Sequence, residues 1–456
     1  MRIALTALFA ATLATTALAQ DLTHKAPAQS HLIAIVHATI HPVSGPEIAD
    51  GAIWFDKGVI AHVGPASDWA DLKTRARFAS PPVEIDASGK HIYPGLFGPY
   101  TQQGLLEIQA VPATIDTREL GGIAPEVRAT VAVNPDSTVL PVTRANGVLL
   151  AGVFPEGGII PGRCGVIRLD GWTRPDLTVR EDSGVVLRWP NMRPVSAWWN
   201  TRSDDEQLKE IKANLDAITK VSDTAQAYAA AKAADPASPT DLRWEAMRSL
   251  FPSAAKDAPP PVGTLFVLAD DIDQINAAVT FCAERGVRCV LVGGRDAALC
   301  APLLKEHKVS VLVSGTFVMP GRDDAPYDDG YSLPKRLFDA GIPFAIAGGD
   351  ETAHERNLPY AAAMAAAHGL TQEAAIRAIT LSPAEMLGVA DHYGSLEEGK
   401  SATLIVTTGN PLEVETHVTQ AFIDGREIDL SNKQTELAKK YRERYRQTGD
   451  LKDGKK

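Results

Sequence analysis

The chain has 456 residues, of which 45% are hydrophobic and 22% charged, with 36 glycines and 31 prolines. These fractions are those of an ordinary globular protein, and they exclude a collagen, a coiled coil or a disordered chain. The formal net charge of −11 gives the protein a negative overall electrostatic potential, which would not attract nucleic acid or anionic lipid. We therefore expect no nucleic-acid partner.

Residues 1–19 have the pattern of a secretory signal peptide. Arg2 gives the positively charged N-terminal region of such a peptide. A short apolar stretch follows, and Ala17-Leu18-Ala19 is a small-x-small cleavage site. No other segment reaches the ~18 uninterrupted apolar residues that a membrane span needs. The sequence thus predicts cleavage after Ala19, a periplasmic or secreted protein, and no membrane span. The four cysteines are too few for a disulfide framework, and whether any two of them pair stays open.

The pattern of secondary structure changes twice along the chain. Residues 31–93 have short apolar runs separated by turn signals, which is typical of a small β-domain. Serial βα units follow, the clearest with strands at 264–268, 288–292, 309–313 and 343–347. Such units require a parallel sheet, either doubly wound or closed as a barrel. β character returns in residues 394–430, and residues 431–456 have nine Lys/Arg against four Asp/Glu, typical of a basic helix or tail.

Specific strings in this order resemble the amidohydrolase superfamily, and most of all its secreted, imidazolonepropionase-like members. They are Tyr93-Pro94-Gly95-Leu96, Gly348-Gly349-Asp350, and the run from Gly394 to Val406 with Leu381-Ser382-Pro383-Ala384 upstream. The resemblance implies an α/β fold, a distorted (β/α)8 TIM-like barrel with a small β-sandwich formed from both chain ends. The implied segments are a signal peptide (1–19), an N-terminal β-sandwich segment (31–93), the barrel (94–393), a C-terminal β-sandwich segment (394–430) and a C-terminal basic helix or tail (431–456).

The resemblance also implies zinc or another divalent metal, held in part by Asp-x-His-x-His after Pro-Gly-Leu. Here Tyr100 and Gln102 occupy the two histidine positions, and neither is a usual zinc ligand. Arg188 stands at the fourth strand, where the family has lysine or glutamate, and the fifth and sixth strands offer no histidine. Asp350 remains as the candidate catalytic residue, with His354 four residues later. We therefore expect no bound metal cofactor, with Tyr100, Gln102, Arg188 and His354 as candidate binding residues.

The implied ancestral reaction is hydrolysis of C–N bonds other than peptide bonds. With most metal ligands missing, we expect a weakly active protein or a non-catalytic subunit, which binds a small molecule or forms a homo-oligomer or a hetero-oligomer with an intact amidohydrolase relative. The alternative is an active hydrolase of cyclic amides or related C–N bonds that uses Asp350 and an atypical metal site, since nearby carboxylates suit a hard cation. A polar loop region between the first two barrel strands could line a pocket. Its residues are Arg118, Glu119, Glu126, Arg128, Asn134, Asp136, Arg144 and Asn146.

Overall fold

The computed structural model describes Asp21 and residues 23–78, 80–197, 199–251, 263–349 and 352–449. The predicted signal peptide lies outside the described residues. So does Asp350, the candidate catalytic residue, together with its neighbour Glu351.

The chain begins with a group of strands and one helix. These are β1 (Ile33–Ile40), β2 (Ile48–Asp56), β3 (Val59–Pro65), α1 (Ala66–Arg75), β4 (Val83–Asp86) and β5 (His91–Pro94). Lys57 and Gly58 join β2 to β3 with φ angles of 50° and 83°. Two consecutive positive φ values are what a tight hairpin turn requires, which explains the glycine.

Eight further strands form the barrel sheet. They are β6 (Leu96–Thr101), β7 (Val148–Val153), β8 (Gly162–Arg168), β9 (Thr178–Arg188), β10 (Thr264–Ala269), β11 (Arg288–Gly293), β12 (Ser310–Val313) and β13 (Phe344–Ile346). They pair in sequence order from β6 to β13, and β13 comes back against β6, so the sheet is a nearly closed barrel. β8 is antiparallel to both neighbours, whereas the other pairs are parallel. The reason is that no helix crosses over between β7 and β8, and a parallel return needs such a crossover.

Helices surround the barrel and connect its strands. They are α2 (Val139–Arg144), α3 (Arg174–Leu177), α4 (Asp204–Ala234), α5 (Leu242–Met247), α6 (Ile272–Glu284), α7 (Ala301–Glu306), α8 (Asp329–Asp339), α9 (Leu358–Ala367), α10 (Gln372–Ala378) and α11 (Leu381–Leu387). A 3₁₀ segment, Thr352–Asn357, precedes α9. No helix of the described residues is long and apolar enough to cross a membrane.

Both ends of the chain contribute to a second sheet. The last elements are β14 (Leu404–Thr407), β15 (Val418–Ile423), β16 (Arg426–Glu427) and α12 (Lys433–Thr448). The sheet has the order β16-β15-β14-β5-β1-β2-β3, with β4 beside β1. β14 thus pairs directly with β5, more than 300 residues earlier in the chain, as in the pair Ile405 and Tyr93. α12 follows β16 in the chain and buries none of its side chains.

The barrel strands bury side chains on both faces. Residues such as Leu149, Ala151 and Val153 of β7 pack outward against the helices. The alternate residues pack together inside the barrel, where every strand contributes: Phe97, Leu150, Val166, Val186, Phe266, Val290, Leu312 and Ala345. Because side chains alternate between the faces of a strand, this division follows from the apolar runs of the sequence. The four cysteines are free and buried.

A buried ionic network joins the start of the described chain to the barrel and to β16. Arg144 Nη1 lies 3.0 Å from Asp21 Oδ2 and 3.4 Å from Asp170 Oδ1. Lys25 Nζ lies 2.6 Å from Asp21 Oδ2 and 3.1 Å from Asp170 Oδ1, and Arg426 Nη1 reaches Asp170 Oδ2 at 3.4 Å. The side chain of Arg144 is fully buried. It is therefore a structural residue rather than the pocket-lining residue that the sequence suggested.

Candidate binding site at the barrel mouth

A cavity of about 440 Å³, which we call the strand-end cavity, opens beyond the carboxyl ends of β9 and β10. Its lining includes the chain just after these strands, residues 188–191 and 269–271, together with the first turns of α4 and Arg295 beyond β11. In barrels of parallel strands, ligands and substrates bind at this end of the strands. The strand-end cavity is thus where a functional site is expected.

Buried glutamines hold the walls of this cavity in place. The Gln274 side-chain oxygen accepts hydrogen bonds from the backbone N–H groups of Asp270 and Asp271, at 3.0 and 3.3 Å. Its nitrogen donates to the carbonyl of Trp189 at 3.3 Å, so one side chain links the loops after β9 and β10. Gln207 similarly accepts from the Val195 backbone N–H at 2.9 Å. Because both glutamines are buried, these bonds fix loops that would otherwise be mobile.

A glycine pair at the end of β11 places Arg295 in the cavity. Gly293 and Gly294 have φ angles of 99° and 65°, which side chains rarely allow. The Gly294 N–H donates to the carbonyl of Ala269 at 2.8 Å, and that of Asp296 donates to the carbonyl of Asp270, also at 2.8 Å. The turn after β11 is therefore bonded to the end of β10, and Arg295 is held beside Asp270.

The charges that line the cavity fall into two groups. Arg202 pairs with Glu210, and Arg193 pairs with Asp273 at 2.5 Å. Arg188 and Arg295 form no ion pair within the described residues, and the Arg295 Nε is buried without a hydrogen-bond partner. Two guanidinium groups of the site are thus available to a ligand.

At the end of β6, aromatic packing takes the place of a polar site. The Tyr100 ring lies edge-on to Phe154, with centroids 4.9 Å apart, and Phe154 lies edge-on to Phe266 at 5.4 Å. Phe154 and Phe266 belong to the apolar cluster inside the barrel. Tyr100 thus closes that cluster from above, which fits a packing role better than metal binding.

Glu355 is a buried carboxyl at the seam between the first and last barrel strands. A methyl group added to Gly98 of β6 would lie 2.3 Å from Glu355 Oε1, and one added to Gly348 after β13 would lie 2.9 Å from Oε2. Among the described residues, Oε1 has no hydrogen-bond partner. Burial raises the pKa of Glu355 well above its usual value, although a hydrogen bond from the Gly348 backbone acts in the opposite direction. Glu355 is therefore a neutral acid over a wider pH range than an ordinary glutamate.

We expect Glu355→Gln to stabilise the protein at pH 8 but not at pH 4. Because the folded-state pKa is raised, the stability that neutral Glu355 confers is complete below the unfolded value near 4.5 and is lost as the pH rises through the folded value. Glutamine stays neutral throughout. Thermal melts should show an increase of roughly 1 °C for each kcal/mol recovered, because the entropy of unfolding scales with the length of the chain. Exposed Glu415 provides the control, and an equal gain at pH 4 and pH 8 would contradict this account.

The candidate residues from the sequence occupy different parts of the barrel mouth. Arg188 lines the strand-end cavity, whereas half-buried Tyr100 and Gln102 lie at the end of β6. His354 is exposed in the 3₁₀ segment, which packs against that end because Gln103 Nε2 donates to the carbonyl of Thr352 at 2.8 Å. Their roles in binding stay predictions, as does the catalytic role of Asp350.

The donors present do not fit the zinc site that the resemblance implies. Within the residues that the structure describes, no three His, Cys, Asp or Glu side chains come together in a group that could hold a metal ion. The end of β6 offers a phenol and an amide instead of two imidazoles, and the end of β9 offers a guanidinium, which cannot ligate a cation. We therefore derive no chemical step through a metal.

The polar loop region between β6 and β7 does line a second cavity, of about 300 Å³. Arg118, Glu119, Glu126 and Arg128 contribute to it. Other members of the same region have structural contacts instead, since Asn146 Nδ2 donates to the carbonyl of Arg356 at 2.7 Å. The composition of this region did not show which of its polar residues line the cavity and which make structural contacts.

Three residues of the mouth were missed from the sequence: Arg295, Gln274 and Glu355. A charged residue directly after a glycine pair at a strand end could have indicated Arg295. Gln274 is a conventional third residue of a capping box with Asp271, so its second role has no sequence signal. Glu355 becomes notable only because the fold buries it.

Comparisons with known proteins agree with this architecture. Residues 276–428 match the family described as "Amidohydrolase family". The imidazolonepropionase of Geobacillus kaustophilus (strain HTA426) is 25% identical over 393 residues, which cover 79% of this chain and 84% of that protein. The amidohydrolase tasK of Hapsidospora irregularis is 29% identical over 94 residues, which cover 21% of this chain and 10% of that protein.

Solved structures share the fold. An amidohydrolase from Thermotoga maritima MSB8 superposes with a TM-score of 0.71 at 20% identity, covering 87% of this chain and 99% of the other. A molinate hydrolase gives a TM-score of 0.51 at 16% identity, covering 88% and 95%. The barrel with its sheet from both chain ends is thus an amidohydrolase-type fold. Residues 276–428 are thus similar to the amidohydrolase family, and most of the chain is similar to imidazolonepropionase.

Proposed function

We propose that this protein binds a small molecule at its barrel mouth and has little or no hydrolytic activity of the superfamily's zinc-dependent kind. The proposal rests on the aromatic contact at the end of β6, where the ring of Tyr100 packs against that of Phe154 with centroids 4.9 Å apart. A catalytic zinc needs about three protein ligands and an open position for water. The edge-on aromatic contact there favours a packed barrel interior, while the polar strand-end cavity beyond β9 and β10 is suited to binding.

Metal content and turnover test this proposal together. The full-length protein, purified without chelator, should contain well under one zinc per chain. It should hydrolyse amides, lactams and esters no faster than its Asp350→Asn variant, because a single carboxylate does not make a metal site. One or more zinc ions per chain, lost in Asp350→Asn along with amidase activity, would overturn the proposal and favour an active hydrolase with an atypical site.

We also propose that the protein is exported and that Ala19 precedes the cleavage site. The buried position of Asp21 supports this, because it makes the chain just after that site a component of the folded body. N-terminal sequencing of protein recovered from the periplasm should begin at Gln20. Association with itself or with an intact relative stays a prediction, and size analysis of the same material would test it.

A further inference from the structure

Two arginines of the strand-end cavity differ from the other arginines around it. Arg193 has Asp273 as a partner, and Arg202 pairs with Glu210. Arg188 and Arg295, by contrast, line the cavity without an acidic partner in the described portion of the chain. A guanidinium that faces a cavity without an anion is a group that a ligand can satisfy.

Arg295 is the more constrained of the two. Its Nε is buried without a hydrogen-bond acceptor among the described residues, and a methyl group added to Gly321 would lie 2.3 Å from that atom. The loop that carries Gly321 therefore covers the side chain closely. Arg295 as a whole is half-buried and lines the cavity, and an anion bound there can pair with its guanidinium because no acidic side chain of the described residues does.

We propose that the strand-end cavity binds a small molecule through a carboxylate group, which Arg188 and Arg295 hold. The planar fork of arginine matches the two oxygens of a carboxylate. A volume of about 440 Å³ is within the range of small-molecule sites. This inference rests on the proposed function, because it names the class of ligand for the same site.

The acidic residues that line the cavity favour a carboxylate ligand over a phosphate ligand. Asp270, Asp271 and Glu210 also line the cavity. A phosphate ester has a charge of about −1.5 to −2 at pH 7, which these groups would repel more strongly than a single negative charge. Asp271 already accepts from the Gln274 N–H, and Glu210 pairs with Arg202. Each carboxylate oxygen nevertheless has a second lone pair and can accept from an N–H group near the ligand's carboxylate. N-acylated amino acids therefore combine the features that this lining favours.

Calorimetric titration of the full-length protein with matched probes tests the inference. The probes are N-acetylglycine, N-acetyl-leucine and N-acetyl-phenylalanine, their uncharged carboxamides, and inorganic phosphate. At least one acid should bind ten times or more as tightly as its carboxamide and more tightly than phosphate. Preference for phosphate, equal binding of acid and carboxamide, or no binding of any of the three acids would each overturn the inference.

Substitutions locate the binding in the cavity. Arg188→Gln and Arg295→Gln should each weaken binding of the acid roughly 10- to 150-fold, the effect of losing a hydrogen bond to a charged group. Arg193→Gln is the control and should weaken it less than threefold, because Asp273 already engages Arg193. Equal losses in Arg193→Gln and Arg188→Gln would overturn the inference.

Gly321→Ala provides an independent variant, since it displaces Arg295 without replacing it. It should weaken binding of the acid while the melting temperature stays within a few degrees, and unchanged binding would count against a role for Arg295. Zinc content and hydrolysis are measured on the same preparations. Zinc-dependent turnover with binding that still requires both arginines would overturn only the proposed function, whereas metal-free protein without arginine-dependent binding would overturn only this inference.

Discussion

Replacing Arg144 with methionine is expected to destabilise the protein by about 3–5 kcal/mol, the usual cost of removing one partner from a buried ion pair. Its side chain is completely buried, and it lies 3.0 Å from Asp21 Oδ2 and 3.4 Å from Asp170 Oδ1. Methionine fills similar space but leaves both carboxylates with fewer cations. The protein is therefore destabilised because two buried carboxylates lose a cation, and not because the substitution leaves a cavity.

Denaturant unfolding of the full-length protein measures this effect. Arg446→Met is the matched control, because Arg446 is 67% exposed and pairs with Glu443 only one helical turn away. It should change the free energy of unfolding by less than about 0.5 kcal/mol. Asp21→Asn combined with Arg144→Met should cost less than the sum of the two single changes. Strict additivity would show that the two side chains do not interact.

The same network predicts sensitivity to acid. Burial acts to raise the pKa of Asp21, but the charge of Arg144 and hydrogen bonds from Lys25 and Thr23 outweigh it and lower the pKa from 3.8 to about 2. Because the folded-state pKa is lowered, the stability from ionised Asp21 is complete above its unfolded value near 3.8 and is lost as the pH falls towards 2. Asp21→Asn should therefore reduce the acid dependence of unfolding in that range.

The fold was largely predictable because it depends on local patterns. Apolar runs of four to six residues between helical segments indicated the barrel strands, and the match between prediction and structure is close at Thr264–Ala269 and Arg288–Gly293. The antiparallel direction of β8 was not predictable from its own residues. It follows from the absence of a helix in the preceding connection, which is a property of the loop.

The candidate site was less predictable, because its chemistry depends on which side chains the fold leaves without partners. Arg188 could be singled out from its place after a strand, but three other arginines line the same cavity. Arg193 and Arg202 form ion pairs with acidic side chains, and only this difference distinguishes them from Arg188 and Arg295. Likewise, the raised pKa of Glu355 results from burial against Gly98 and Gly348, which lie some 250 residues apart in the chain.

Phe422→Ala should cost about 3–5 kcal/mol and affect both ends of the chain at once. Phe422 of β15 is fully buried, and its ring lies edge-on to Phe55 of β2 at a centroid distance of 5.3 Å. Both belong to a cluster that also contains Leu404 of β14 and Ile35 of β1. The cavity left by alanine therefore weakens packing between the N-terminal strands and the C-terminal strands, which meet in this sheet.

Hydrogen exchange separates this shared-sheet effect from local fraying of the chain end. In Phe422→Ala, exchange should increase in β1 and β2 as well as in β14 and β15, because the two groups of strands have one core. Val414→Ala is the control, since Val414 is 74% exposed in the loop before β15 and its truncation should leave exchange and stability unchanged. Faster exchange confined to the residues after β14, with an unchanged free energy of unfolding, would show that the N-terminal strands are stable without the C-terminal ones. If both groups respond together, the chain end is an integral component of the fold that supports the barrel, and its loss would also disturb the buried network around Arg144 through Arg426.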